Sequence, residues 1–172
     1  MIRLCPWFEL SDDAKAAVRS LQVSSVQVEY AGTVDKAVAQ AEEGPFHELM
    51  GLAVMAESSV VGFLLLKSGS RVPHWAGADN AVVSGLRIGA QFQGQGLGTQ
   101  ALRALPDWVE RHWPHARSIV LSVDEENHAA IRSYAKAGWV DHGVREPGRI
   151  GWVRYMSRDL ARAGADASIA AS

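Results

Sequence analysis

The chain has a single cysteine, Cys5, so no disulfide can form within it. Apolar runs such as Val60 to Leu66 fall far short of the roughly 18 to 20 residues that span a bilayer. An excess of positive charge is missing too. Seventeen Lys and Arg stand against 19 Asp and Glu, a net charge of −2, which leaves no field to hold a nucleic acid backbone or an anionic membrane. The opening residues Met1 to Trp7 contain no apolar signal core followed by a cleavage site. No fixed-period repeat and no long Pro, Ser or Gly linker divides the sequence. Together these absences predict a soluble cytoplasmic protein that partners neither nucleic acid nor membrane.

What is present is core. Forty-eight per cent of 172 residues are apolar, enough for one domain of ordinary size, predicted over residues 1–160. Residues 161–172 are mostly Ala with Gly, Asp and Ser, offer no apolar face, and are expected to be a frayed tail. Ser11 with Asp12 and Asp13 heads a capped helix reaching Leu21, and Thr33 heads a second over 34–43 that Gly44-Pro45 ends. Leu49 to Ala56 and Val60 to Lys67 read as a hairpin, and Ala81 to Ile88 as a further strand.

Leu97, Ala101, Leu102, Leu105, Trp108 and Val109 recur at helical steps from Gly96 to Trp113, with Pro106 inside the pattern predicting a kink or two abutting helices. A strand over 118–123, a helix over 127–137 ending at Gly138, and strands over 139–144 and 150–157 close the chain. A strand meander followed by βαβα predicts an α/β or α+β fold. It would be a mixed central sheet of about six or seven strands flanked by about four helices.

The chemistry concentrates in Gln93-Gly94-Gln95-Gly96-Leu97-Gly98-Thr99, between a predicted strand and a predicted helix. Backbone amides and the positive helix end converge there, and glycines let a phosphate approach closely. The nucleotide triphosphatase loop GxxxxGK(S/T) needs a Lys after its second Gly, where Leu97 stands. The dinucleotide fingerprint GxGxxG would put its last Gly at Thr99.

A third pattern matches. The run Leu86-Arg87-Ile88 leading into Gln93, Gly96 and Gly98 resembles the acetyl-CoA signature (Q/R)xxGx(G/A) of the GCN5-related N-acetyltransferases. Leu121 to Trp139 is similar to the strand and following helix of the same superfamily. There an Asn caps the helix, Ala-Ile packs, a Tyr follows seven residues later and a Gly-aromatic pair opens the next strand: Asn127, Ala130-Ile131, Tyr134, Gly138-Trp139. The resemblance spans about residues 1–160.

The resemblance implies the GNAT fold and acetyl-CoA as cosubstrate, with direct acetyl transfer to a primary amine of a small molecule. Noncatalytic acyl-CoA sensing, or acetylation of protein lysines or N-termini, is the alternative. It gives the pantetheine arm the backbone of Leu86, Arg87 and Ile88, and the pyrophosphate the amides around Gln93, Gly94, Gln95, Gly96, Leu97, Gly98 and Thr99. Asn127 would touch the cofactor and Tyr134 would protonate the departing thiolate. Some relatives carry a Glu base where this sequence has Ser122, which leaves Glu29, Asp124 or water to take the amine's proton.

No metal is expected, because Pro114 separates His112 from His115 and no third ligand is near in sequence. Loops 23–33, 71–80 and 145–151, with Trp75 among them, should shape the acceptor pocket, and their charges are of both signs. Relatives pair through the closing strands, so a homodimer is expected.

Overall fold

Helix boundaries follow from their caps. In the computed structural model, which describes residues 1–161, the Ser11 hydroxyl accepts from Ala14 N at 3.2 Å and opens α1 (Asp12–Arg19). Thr33 caps α3 (Val34–Glu43) through Lys36 N at 3.3 Å. Asn127 caps α5 (His128–Lys136) through Ala130 N at 3.3 Å. Each cap satisfies a first-turn amide that the helix itself cannot. Of the tail expected over 161–172, all but Ala161 lies outside the described residues.

Seven strands form one mixed sheet, in the order β1-β2-β3-β4-β5-β7-β6. They are β1 (Ile2–Pro6), β2 (Leu49–Ala56), β3 (Ser59–Lys67), β4 (Asn80–Ile88), β5 (Ser118–Asp124), β6 (Val140–Pro147) and β7 (Trp152–Asp159). All neighbours pair antiparallel except β4 and β5, which are parallel. The mixed α/β architecture is the predicted one, and the four helices expected from periodicity are α1, α3, α4 (Leu97–His112) and α5.

Two elements lie outside the helices and strands that the sequence predicts. β1 has the alternation of an edge strand, with Leu4 buried beside half-exposed neighbours. The short α2 (Ser25–Ala31) stands where an acceptor loop was predicted. Its signals are Ser24, whose hydroxyl accepts from Gln27 N at 3.2 Å, and Gly32 at its end.

The two sheet faces are covered differently. α4 and α5 bury Leu102, Leu105 and Val109 against Leu52, Leu64, Ile119 and Leu121. On the opposite face α1 and α3 bury Val18, Val38 and Ala41 against Phe63 and Ala53. Pro106 lies inside one uninterrupted sixteen-residue α4, not between two abutting helices. One interior Pro costs about 3 kcal/mol, and fully burying each of the neighbouring Leu and Val side chains returns about 1.5 to 3 kcal/mol, so packing decides. Among the described residues no helix is long and apolar enough to cross a membrane.

Gly85, at φ +62°, makes a bulge in β4 where the register against β3 shifts between Phe63 and Leu65. Beyond it the Arg87 side chain turns under α2 and donates to the carbonyls of Ala31, Gly85 and, at 3.0 Å, Gly32. The guanidinium is 3% exposed, and burial lowers its pKa to about 10. It remains charged at neutral pH against carbonyls at the negative end of α2. Replacing it leaves those acceptors orphaned. Arg87→Leu is expected to lower unfolding free energy by about 2 to 4 kcal/mol in urea denaturation, the scale of lost hydrogen bonds to a charged group. Unchanged stability would show that the clamp holds nothing.

Candidate active site

Parallel pairing of β4 and β5 covers only Asn80–Ser118, Ala81–Ile119 and Val82–Val120. Past those pairs the strands diverge, and a cleft of about 550 Å³ opens between β4, α2, the glycine turn, α4 and α5. Leu86, Ile88, Gln93, Gly94, Gly96, Leu97, Gly98, Thr99, Asn127 and Tyr134 all line it. Residues more than 40 positions apart in sequence thus share one cavity.

Gly96 begins α4 with φ +74° and ψ +9°, a left-handed conformation that favours glycine, and no side chain caps the first turn. The first main-chain bond of the helix, Gln100 N to Gly96 O at 3.0 Å, leaves the amides of residues 97–99 pointing out of the N-terminus without a helical acceptor. Arg132 and Lys136 of α5 line the same cleft. Free amides, a helix dipole and two cations make the mouth a site for a polyanion.

Two predicted members stand apart. The Arg87 side chain is spent on α2, and its backbone pairs with Phe63 of β3. Gln95 does not line the cleft; its side chain amide donates to Gln91 O at 3.3 Å. Gly89 N bonds Val61 O of β3, so Ile88, one residue back, presents its polar groups to the other edge. There the Gln27 side chain donates to Ile88 O at 3.0 Å and accepts from Ile88 N at 3.2 Å, while Gln93 Nε2 also donates to Ile88 O at 3.1 Å. Val26, Gln27, Tyr30 and Ala31, the α2 residues of the cleft, had no signal beyond the Ser24 cap.

Tyr134 stands beside Trp139, ring centroids 5.7 Å apart. Its hydroxyl makes no hydrogen bond with a described residue, and burial pushes its pKa up to about 12. The phenol stays protonated at any physiological pH and is free to donate. Asn127 keeps its amide nitrogen available while its oxygen caps α5.

Across the sheet from this cleft a second cavity of about 350 Å³ is lined by Lys67, Arg71, Trp75, Ser84 and Ser122 among others. The Trp75 ring lies 4.9 Å from that of Tyr155, whose hydroxyl donates to Glu146 at 2.7 Å. Arg149, in the turn between β6 and β7, donates to Glu29 O of α2, so two of the predicted acceptor loops touch. No carboxylate lines either cavity. Cys5 sits on β1, away from both, its thiol pKa raised by burial. Among the described residues no group of three or more His, Cys, Asp and Glu could hold a metal ion.

A mixed sheet with splayed central strands and an amide-lined helix start between them defines a CoA-type acyltransferase. The chain belongs to the acetyltransferase (GNAT) family, whose model matches residues 16–139. It is an acetyl-CoA-dependent N-acetyltransferase by class. It is 28% identical over 134 residues to the spermine/spermidine N(1)-acetyltransferase of Bacillus subtilis, covering 78% of this chain and 86% of that one. Its fold is similar to that of aminoglycoside acetyltransferase AAC(6')-Ib, solved with coenzyme A and kanamycin, at TM-score 0.72 and 21% identity over 96% of this chain and 98% of that one. The spermidine N-acetyltransferase of Vibrio cholerae, solved with CoA and spermine, gives TM-score 0.70 and 17% identity over 94% and 97%.

Asp124 ends β5, and burial raises its pKa first of all, with Glu29 adding to the rise and Arg149 opposing it. A raised folded pKa contributes stability that is fully present below the unfolded value, about 3.9, and is lost as pH climbs through the folded value. Asp124→Asn removes that loss. The variant is expected to melt above the wild type at pH 7, with the gap closing toward pH 4; a variant melting lower at pH 7 refutes the burial argument.

Proposed function

We propose that this protein transfers acetyl from acetyl-CoA directly to the primary amine of a small molecule. One observation carries the reading: the unsatisfied amides after Gly96 and the free Tyr134 hydroxyl share a single cleft where β4 and β5 part. The Gly94 to Thr99 turn takes the pyrophosphate, and Arg132 and Lys136 supplement it. Ile88 offers the pantetheine arm its outward N–H and carbonyl, for which Gln27 makes way. Asn127 contributes its amide nitrogen.

Bound acetyl-CoA supplies the thioester: the amine lone pair forms the C–N bond, the C–S bond breaks, the amine loses one proton and the thiolate gains one. Tyr134 is placed to donate toward that sulfur. With its pKa near 12 the phenol is a weaker acid than a free thiol at about 8.5. It therefore acts first as a hydrogen-bond donor to developing charge, and proton transfer completes because a thiolate in the same buried cleft is itself more basic. The lack of carboxylates in both cavities, and Ser122 in place of a Glu, support loss of the amine's proton to water.

The 28% identical relative and the two solved neighbours are named for amine acetylation, which supports a small amine over a protein acceptor. The net charge of −2 supports a cytoplasmic protein that binds neither nucleic acid nor membrane. Exposed Val140 and Val144 on β6, Ile150 in the β6–β7 turn and Trp152 at the start of β7 support a homodimer through the closing strands.

CoA should raise the melting temperature of the wild type, since 100 Kd of ligand stabilises by about 2.7 kcal/mol. Gly96→Glu should fold, because a side chain at Gly96 meets nothing within 4 Å, at about 1 to 2 kcal/mol of left-handed strain. Its carboxylate should abolish the CoA shift; a full shift in this variant would remove the phosphate assignment.

Tyr134→Phe keeps the ring and removes only the donor. CoA affinity should hardly change while kcat falls on the order of 10- to 1000-fold, evenly across pH 6 to 9 because the phenol does not titrate there. An unchanged kcat would make Tyr134 a packing residue.

A further inference from the structure

Lys67, at the end of β3, is half-buried, lines the 350 Å³ cavity and makes no hydrogen bond or ion pair with any described residue. Burial lowers its pKa, and among the described residues the charge acting on it is that of Arg71, which lowers it further. Arg71 is itself engaged, with Glu43 Oε2 at 3.7 Å and Gly44 O at 2.9 Å. The cavity thus holds one cation that folding has desolvated and left without a counter-ion. Pro73, Trp75, Val82 and Val83 wall it. In such a low-dielectric surrounding an unpaired charge is costly and a charge-assisted hydrogen bond is strong.

The geometry fixes where an anion would sit relative to the reaction. Lys67 lies opposite Val82 in the β3–β4 ladder, and Ser84 is two residues further along the same face of β4, about 7 Å toward the strand divergence. Ser84 and Ser122 close the cavity at that end, beside the point where β4 and β5 separate. The cavity therefore runs from the divergence, where the proposed acetyl transfer occurs, to the lone ammonium.

We propose that the amine acceptor carries a carboxylate at the end remote from its reacting nitrogen, and that Lys67 binds that carboxylate. This separates the site from one built for a polyamine, whose second cation would meet Lys67 and Arg71 with repulsion. The aromatic wall of Trp75, backed by Tyr155, fits a flat or apolar spacer between the two charged ends. The inference rests on the acetyl-transfer reading above.

The test uses matched acceptors with acetyl-CoA: para-(aminomethyl)benzoate, its isosteric primary amide, and spermidine. The carboxylate should exceed the amide in kcat/KM by about 10- to 100-fold, the scale of one hydrogen bond to a charged group. Lys67→Met should bring that ratio close to one, and Lys67→Arg should keep most of it, while the CoA-induced melting shift persists in both. An amide or spermidine used as well as the carboxylate, or a ratio that survives in Lys67→Met, overturns the proposal.

If none of these amines turns over, calorimetry on the CoA-loaded protein decides with para-(acetamidomethyl)benzoate against its amide. Tighter binding of the carboxylate in the wild type and not in Lys67→Met supports the assignment. Equal binding, or binding of neither, overturns it. Amine acetylation without carboxylate preference sinks this inference alone, whereas loss of both CoA binding and thiol release sinks the acetyl-transfer reading itself.

Discussion

Three residue pairs are all that hold parallel β4 to β5, and the rest of the molecule is arranged around the backbone they leave unpaired. A sheet that parts in its middle exposes strand groups that must find other partners or cost the fold. Here the divergence lies between two hydrophobic layers. α4 and α5 pack on one face and α1 and α3 on the other, so the opening is bounded by rigid elements. The bulge at Gly85 lets β4 leave its neighbour, and β7 pairs with β5 along its whole length so that β5 does not follow.

The short helix α2 owes its place to side chains that act as backbone. Arg87 reaches from the sheet into its C-terminal carbonyls, and Gln27 reaches back to pair with Ile88 as a neighbouring strand would. These contacts anchor α2 as a wall of the cleft, although none of its residues is buried. An element held by polar ties to one strand edge can shift when that edge acquires another partner, which is what the proposed pantetheine position requires of Gln27.

Electrostatics divide the site into two ends. At the α4 start, amides, helix dipole, Arg132 and Lys136 accumulate positive potential with space for polyanionic phosphates. On the far face Lys67 is a second positive locus in a smaller cavity. Tyr134 lines the first of these cavities, neutral at working pH because burial pushes its pKa up to about 12. Glu125, just past β5, and Asp141 pair with Arg145 of β6 and Arg154 of β7 in a partly exposed network away from both cavities.

The sequence by itself determined whatever depends on neighbours along the chain. Ser11, Thr33 and Asn127 mark helix starts because capping is local, and Gly94 and Gly96 mark the turn because their left-handed backbone favours glycine. The seven-residue spacing of Asn127 and Tyr134 places both on one helix face by periodicity alone. Tertiary structure decided the rest. That Pro106 sits in an unbroken helix depends on Leu102, Leu105 and Val109 burying against distant strands. That Arg87 faces away from the cleft between two residues that line it depends on the Gly85 bulge and on α2 above it. That Lys67 lacks a counter-ion could not be read from a stretch containing both signs, because charge pairing is a property of distances in space, and folding alone sets which charges meet.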